Sequence, residues 1–141
     1  MRVADVLITD FPHIYEDTSI QGAVEKLVEH PVHSLPVFTH DETMVGELNQ
    51  TDLLLEIIGE EEIEGDFDLA SIHHLLSSGS DTIKPMVNRH ELRVREDDHL
   101  VEAIKLLYEK DLGTLPVMAA DGGFAGIITD IVILEHYDEL S

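Results

Sequence analysis

Cysteine and tryptophan are absent from this chain. Without cysteine there is no disulfide framework, no thiol nucleophile and no thiolate metal site. No apolar run approaches the roughly 20 residues that a bilayer-spanning helix needs. The opening Met1-Arg2-Val3-Ala4-Asp5 is not the basic-then-apolar start of a secretory signal. Positive charge is scarce: eight Lys and Arg stand against thirty Asp and Glu, a formal net charge of −22 in 141 residues. Nucleic-acid binding rests on basic side chains that displace counterions, and adhesion to anionic membranes rests on polybasic segments. Neither nucleic acid nor membrane is therefore expected as a partner, and the expected location is cytoplasmic. The acidity fits general solubility or a salty environment, and neither names a function.

The common catalytic constellations are missing too. No serine sits in a nucleophile elbow, and no Gly-x-x-x-x-Gly-Lys loop is present. Gly122-Gly123-x-x-Gly126 lacks the strand–turn–helix context of a dinucleotide fingerprint. Nine histidines (His13, His30, His33, His40, His73, His74, His90, His99 and His136) raise a metal hypothesis. Pro31 breaks any helix that would align His30 with His33, while the adjacent His73 and His74 point different ways. Surface and loop histidines are the plainer reading, so no metal site is expected. Carboxylate pairs are too abundant to mark acid–base catalysis, and the chain reads as a non-enzyme.

What the chain does contain is itself, twice. At an offset of eighty residues, Glu16-Asp17, Ala23, Leu27, Glu29, Leu35-Pro36-Val37, Asp41, Gly46 and Leu54 recur as Glu96-Asp97, Ala103, Leu107, Glu109, Leu115-Pro116-Val117, Asp121, Gly126 and Leu134. Eleven identities at one offset mark an internal repeat. With 43% hydrophobic and 27% charged residues the chain is globular.

Each repeat reads as β-α-β-β-α. In the first, Val3 to Leu7 is an apolar lead-in and Ile14 starts an extended piece. Asp17-Thr18-Ser19 caps a helix carrying Ile20, Ala23, Val24, Leu27 and Val28 at helical spacing, which Pro31 ends. Leu35–Phe38 and Met44–Leu48 form a hairpin around Asp41-Glu42-Thr43, and Asp52 opens a helix from Leu53 to about Ile58. In the second, Ile83 to Val87 is the lead-in, Leu92 to Val94 the extended piece and Asp97-Asp98 the cap. A helix follows on Leu100, Ala103, Ile104, Leu107 and Tyr108. The hairpin of Leu115–Met118 and Phe124–Ile128 turns on Asp121-Gly122-Gly123, where glycines supply positive φ. Ile131 to Tyr137 is the last helix. The organisation is residues 1–58, an acidic connector at 59–81 with a short helix on Phe67, Leu69, Ile72, Leu75 and Leu76, and residues 82–141. The fold class is α+β (α/β), with two repeats packed about a pseudo-twofold axis because neither alone is large enough for a comfortable core.

The Asp-Val-Leu and Pro-Met-Val lead-ins, the two Leu-Pro-Val strands and the Gly46-Glu-Leu and Gly126-Ile-Ile strands, in this order and duplicated, resemble a pair of CBS (cystathionine β-synthase) domains, the Bateman module. The resemblance covers nearly the whole chain apart from the connector. It implies a regulatory module that binds adenosyl ligands in clefts between repeats, often as a homodimer. The family's ligand-reading motif runs Gly-apolar-apolar-Thr/Ser-x-x-Asp. A carboxylate there accepts hydrogen bonds from ribose hydroxyls, and the hydroxyl and helix N-terminus beside it can hold phosphate. Here the first copy reads Gly46-Glu47-Leu48-Asn49-Gln50-Thr51-Asp52, with Asn49 in place of the hydroxyl. The second reads Gly126-Ile127-Ile128-Thr129-Asp130-Ile131-Val132, with Val132 in place of the carboxylate.

By that resemblance, Asn49 and Asp52 share a cleft with the segment from Lys84 to Val94, including Arg89, Leu92 and Arg93, and with Leu112 and Gly113. Val32, His33, Thr129 and Asp130 make a second, weaker site. Lys84, Arg89, Arg93 and Arg95 are half of all the basic residues. They hold a ligand phosphate in one reading. In the other they pair with acids such as Glu91, Glu96 and Asp97, and Asp52 is a plain helix N-cap. Two functions stand. One is a stand-alone sensor of AMP, ADP, ATP or S-adenosylmethionine, with no required cofactor, that controls an enzyme or transporter. The other is a homodimeric interaction module with degenerate pockets. A homodimer is expected in both, through Leu53, Leu54, Ile57 and Ile58 and through Ile131, Ile133, Leu134 and Tyr137.

Overall fold

The computed structural model describes residues 1–58 and 81–140. Most of the connector, including its expected helix on Phe67 to Leu76, lies outside the described residues, as do the side chains of Ile57 and Ile58. The architecture is α+β and each repeat builds its own sheet. In the first, β1 (Ile14–Tyr15), α1 (Ile20–Glu29), β2 (Ser34–Phe38), β3 (Met44–Asn49) and α2 (Gln50–Ile58) follow in order, and β4 (Asn88–Arg89) is added from far along the chain. The strand order is β1-β2-β3-β4. In the second, β5 (Val94–Arg95), α3 (Leu100–Glu109), β6 (Thr114–Met118), β7 (Phe124–Thr129), α4 (Asp130–Glu135) and α5 (Tyr137–Leu140) give the order β5-β6-β7. Registers match: Ile14 pairs with Val37 as Val94 pairs with Val117, and Leu35 with Leu48 as Leu115 with Ile128.

The compact units are not the two contiguous halves. Pro12–Arg89 form the first, and Met1–Phe11 join His90–Ser141 in the second. The reason lies in backbone hydrogen bonding, since a buried lead-in segment must find partners for its amides. Residues 1–8 find them on the second repeat, through Val3 to Asp98, Ala4 to Glu96 and Ile8 to Ile127. Residues 81–89 find them on the first, where Ile83 donates to Thr18, Asp81 accepts from Ile20, and β4 pairs with β3. Each core follows this exchange. Val3 and Val6 are buried with Val94, Leu100, Ala103, Leu115, Val117 and Ile128, whereas Ile83 is buried with Ile14, Ile20, Ala23, Leu35, Val37 and Leu48.

Three expectations need correction. The second N-cap is His99, not Asp97-Asp98, and its side chain makes no capping bond, because the Asp98 carboxylate instead accepts the Arg95 amide at 2.9 Å. Helix α2 starts at Gln50, whose amide is held by the His33 carbonyl at 3.1 Å, so Asp52 lies inside the first turn and is not the N-cap. The last helix breaks at His136: its Nδ1 lies 2.8 Å from the Val132 carbonyl while its amide turns to Ile133. In the hairpin turns, Gly122 takes positive φ (87°), and the matching Glu42 of the first repeat adopts 71° despite its side chain.

Candidate functional site

The expected site residues divide by unit. Val32, His33, Asn49, Asp52 and Arg89 belong to the first, and Leu92, Arg93, Leu112, Gly113, Thr129 and Asp130 to the second. In the first unit, the loop before β2 and the start of α2 come together. Gln50 ties them, donating from Nε2 to the Val32 carbonyl at 2.6 Å and from its amide to His33. Asn49 Nδ2 donates to Asp52 Oδ2 at 3.4 Å, which orients the carboxylate in the first turn of α2, where the helix dipole favours negative charge.

Asp52 opens onto a solvent-open groove of about 410 Å³, lined also by Leu55, Glu56, Pro85, Met86 and Asn88. One wall is α2 and the other is the second repeat's lead-in, held against it as β4 on β3. Of the Lys84–Val94 segment expected beside Asp52, Pro85, Met86 and Asn88 lie on the groove. Leu55 and Glu56 line it without having been expected there. The available signal was helical spacing, because a residue four after Asp52 shares its face.

Arg89 is engaged elsewhere. Neighbouring strand residues face opposite ways: Asn88 lines the groove, whereas the Arg89 guanidinium pairs with Glu16 at 2.8 Å. Its partner is thus an acid 73 positions away, none of the local ones.

In the second unit the equivalent end is built alike, with the Asp130 amide donating to the Gly113 carbonyl at 3.1 Å. Its chemistry differs. Thr129 Oγ1 accepts the Val132 amide at 3.0 Å as a helix cap, and Asp130 Oδ1 accepts the Ile131 amide at 2.7 Å. Val132 and Leu112 are buried in the core, so no carboxylate stands where Asp52 does. Leu92 packs against that same core, and Arg93 and Arg95 flank buried Val94 in exposed positions. Among the described residues no carboxylate lies within ion-pair distance of Arg93. Desolvation holds the His90 imidazole below the ordinary histidine value, and its Nδ1 accepts the Leu92 amide. Among the described residues no helix is long and apolar enough to cross a membrane, and no group of three or more His, Asp or Glu is arranged to hold a metal.

Comparison with known proteins places the fold. The chain is 32% identical over 124 residues to the chloroplastic CBS domain-containing protein CBSX2 of Arabidopsis thaliana, covering 79% of this chain and 52% of that one. It is 24% identical over 127 residues to a homoserine O-acetyltransferase of Methanohalobium evestigatum, covering 90% of this chain and 22% of that one. The chain thus spans about half of the first relative and about a fifth of the second. The crystal structure of CBSX2 in complex with AMP superposes with a TM-score of 0.71 at 27% identity, over 99% of this chain and 97% of that one. A conserved hypothetical protein of Geobacillus kaustophilus superposes at 0.74 with 24% identity, over 100% and 98%. The CBS domain profile matches residues 3–59 and again 83–139, and the chain therefore belongs to the CBS-domain family as a tandem pair.

Proposed function

We propose that this chain is a regulatory, non-catalytic module that binds an adenosyl ligand through Asp52 and controls an enzyme or transporter. The observation that carries the reading is the Asp52 carboxylate, half-buried, oriented by Asn49 and open to a groove of about 410 Å³. A carboxylate with free lone pairs accepts both hydroxyls of a ribose diol, and the apolar sides of Leu55, Pro85 and Met86 suit a flat base. The AMP bound to CBSX2 supports the ligand class, and the match within a homoserine O-acetyltransferase supports an enzyme as the controlled partner. No cofactor is required, and the working form is a homodimer.

The test is calorimetry with adenosine, AMP and S-adenosylmethionine on the wild-type chain and on Asp52→Ala. Binding of at least one ligand, weakened tenfold or more by Asp52→Ala, is the expected result. Ligand at a hundred times its dissociation constant should also stabilise the fold by about 2.7 kcal/mol. The second reading, an interaction module that binds no nucleotide, is favoured by Val132, buried where the second repeat would need its carboxylate. Absence of heat and of thermal shift with all three ligands would select it.

A further inference from the structure

We infer that the groove of the first unit selects an adenosyl ligand bearing positive charge, a sulfonium, over one bearing phosphate. The inference rests on the adenosyl reading of Asp52 and concerns the charge of whatever the adenosyl group carries. Asp52 and Glu56 stand four residues apart on α2 and both line the groove. Leu55, Pro85, Met86 and Asn88 line it as well, so among the described residues the lining holds two carboxylates and no cation.

The cations that could offset them are few and differently placed. The first unit's described basic residues are Lys26, Lys84 and Arg89. Lys26 sits in the last turn of α1, and the Arg89 guanidinium is bound to Glu16 at 2.8 Å. A phosphate could recruit Arg89 only by displacing that carboxylate. Lys84 is exposed beside Pro85 but is not part of the lining. Its long, strongly hydrated side chain makes a weaker and more mobile partner than a guanidinium fork. A dianionic phosphate entering here meets two like charges within a chain of net charge −22. A sulfonium meets two opposite ones, at least one of them on an exposed side chain that can follow it.

S-adenosylmethionine and S-adenosylhomocysteine isolate this effect, because they differ by one methyl group and one positive charge on sulfur. Calorimetry at about 0.05 M and about 0.5 M sodium chloride would measure both with AMP and adenosine, each affinity taken as a ratio to adenosine on the same variant. The expected result is S-adenosylmethionine at least tenfold tighter than both S-adenosylhomocysteine and AMP at low salt, with the gap narrowing at high salt. Glu56→Gln should shrink the ratio of S-adenosylmethionine to S-adenosylhomocysteine several-fold. AMP equal to or tighter than S-adenosylmethionine overturns the inference, as does equal binding of the two sulfur ligands. AMP binding that collapses in Lys84→Ala overturns it as well, since a cation would then serve the site. These outcomes all require adenosine itself to bind; if no adenosyl compound binds, the adenosyl reading of Asp52 is what fails.

Discussion

Ile8 and Ile127 exchange two backbone hydrogen bonds, each amide donating to the other's carbonyl at 2.9 Å. The chain's opening segment thereby becomes an edge of the second repeat's sheet. Gly126 makes room for it: a Cβ there would stand 2.5 Å from the Ile8 carbonyl oxygen and 2.9 Å from the Leu7 side chain. Gly46 does the same for Asn88, at 2.2 Å from its carbonyl. Backbone cannot retreat as a flexible side chain can, so Gly126→Ala should destabilise the chain by about 2–3 kcal/mol in urea unfolding. A change below about 0.5 kcal/mol, the usual range for uninvolved surface positions, would show that residues 7–8 do not lie against β7.

That exchange of segments is not written in any local pattern of the sequence. The eighty-residue offset, the helical spacing in Ile20–Glu29 and Leu100–Glu109 and the two Leu-Pro-Val strands are local patterns, and each reappears in the structure within a residue or two. The identity of Gly46 with Gly126 was visible as well, but its cause was not. The atoms that forbid a side chain there come from residues 42 positions after Gly46 and 118 before Gly126, since they belong to Asn88 and Ile8. Arg89 is a similar case: its carboxylate partner, Glu16, lies 73 residues away, and only the fold brings it near. Helix ends are not legible locally, because the Asp98 carboxylate accepts from, and the His136 imidazole donates to, a competing backbone group. Of the candidate groove, Asp52 and the segment that carries Pro85, Met86 and Asn88 are legible from the family resemblance. Glu56 lay hidden in an acidic stretch where no carboxylate stood out.

The two repeats differ at the start of their first helices in a way that can be exploited. Ser19 caps α1 by accepting the Gly22 amide at 3.0 Å, whereas the equivalent His99 caps α3 with no side-chain bond. Glu102 already occupies the third position of α3. His99→Ser would complete a Ser-x-x-Glu capping box and should stabilise the chain by about 0.5–1 kcal/mol. Ser19→Ala should destabilise it by about 1 kcal/mol. Parallel unfolding curves of the two variants check the pair, and a neutral His99→Ser would mean the loop at 97–99 cannot seat a hydroxyl over the α3 amides.

His90 should give stability a pH dependence below neutrality. Burial depresses its pKa in the folded chain from the ordinary 6.5, and its Nε2 has no hydrogen-bond partner among the described residues. The unfolded chain therefore binds this proton more readily than the folded one. Its contribution is intact above pH 6.5 and declines as pH falls below that value toward the depressed folded pKa. His90→Asn keeps an acceptor near the position from which Nδ1 takes the Leu92 amide at 3.2 Å, while removing the titration. Between pH 7 and about pH 5 the wild type should lose more stability than His90→Asn. Identical slopes in the two proteins would exclude His90 as the source.

The expected dimer face is narrower than the apolar residues of the final helices suggested. Leu53 and Ile133 are buried in their own cores and offer nothing outward. Ile131, Leu134 and Tyr137 are 55%, 63% and 68% exposed, and Leu54, which matches Leu134 at the eighty-residue offset, is 60% exposed. Ile131 and Leu134, three residues apart on α4, leave large apolar side chains open, a feature of the kind that marks association surfaces. The chain's strong negative charge opposes self-association, so the contact must be apolar and should tighten with salt as repulsion is screened. Leu134→Glu places a new carboxylate on this face of the second unit, and Leu54→Glu places one at the matching position of the first unit. Light scattering at tens of micromolar protein in about 0.15 M salt should give a dimer for the wild type. A monomer for Leu134→Glu with Leu54→Glu still dimeric would place the contact on the second unit's helices, and the reverse would place it on the first. A wild-type monomer under these conditions, or three dimers of equal stability on dilution, would show that these residues are not where two copies meet.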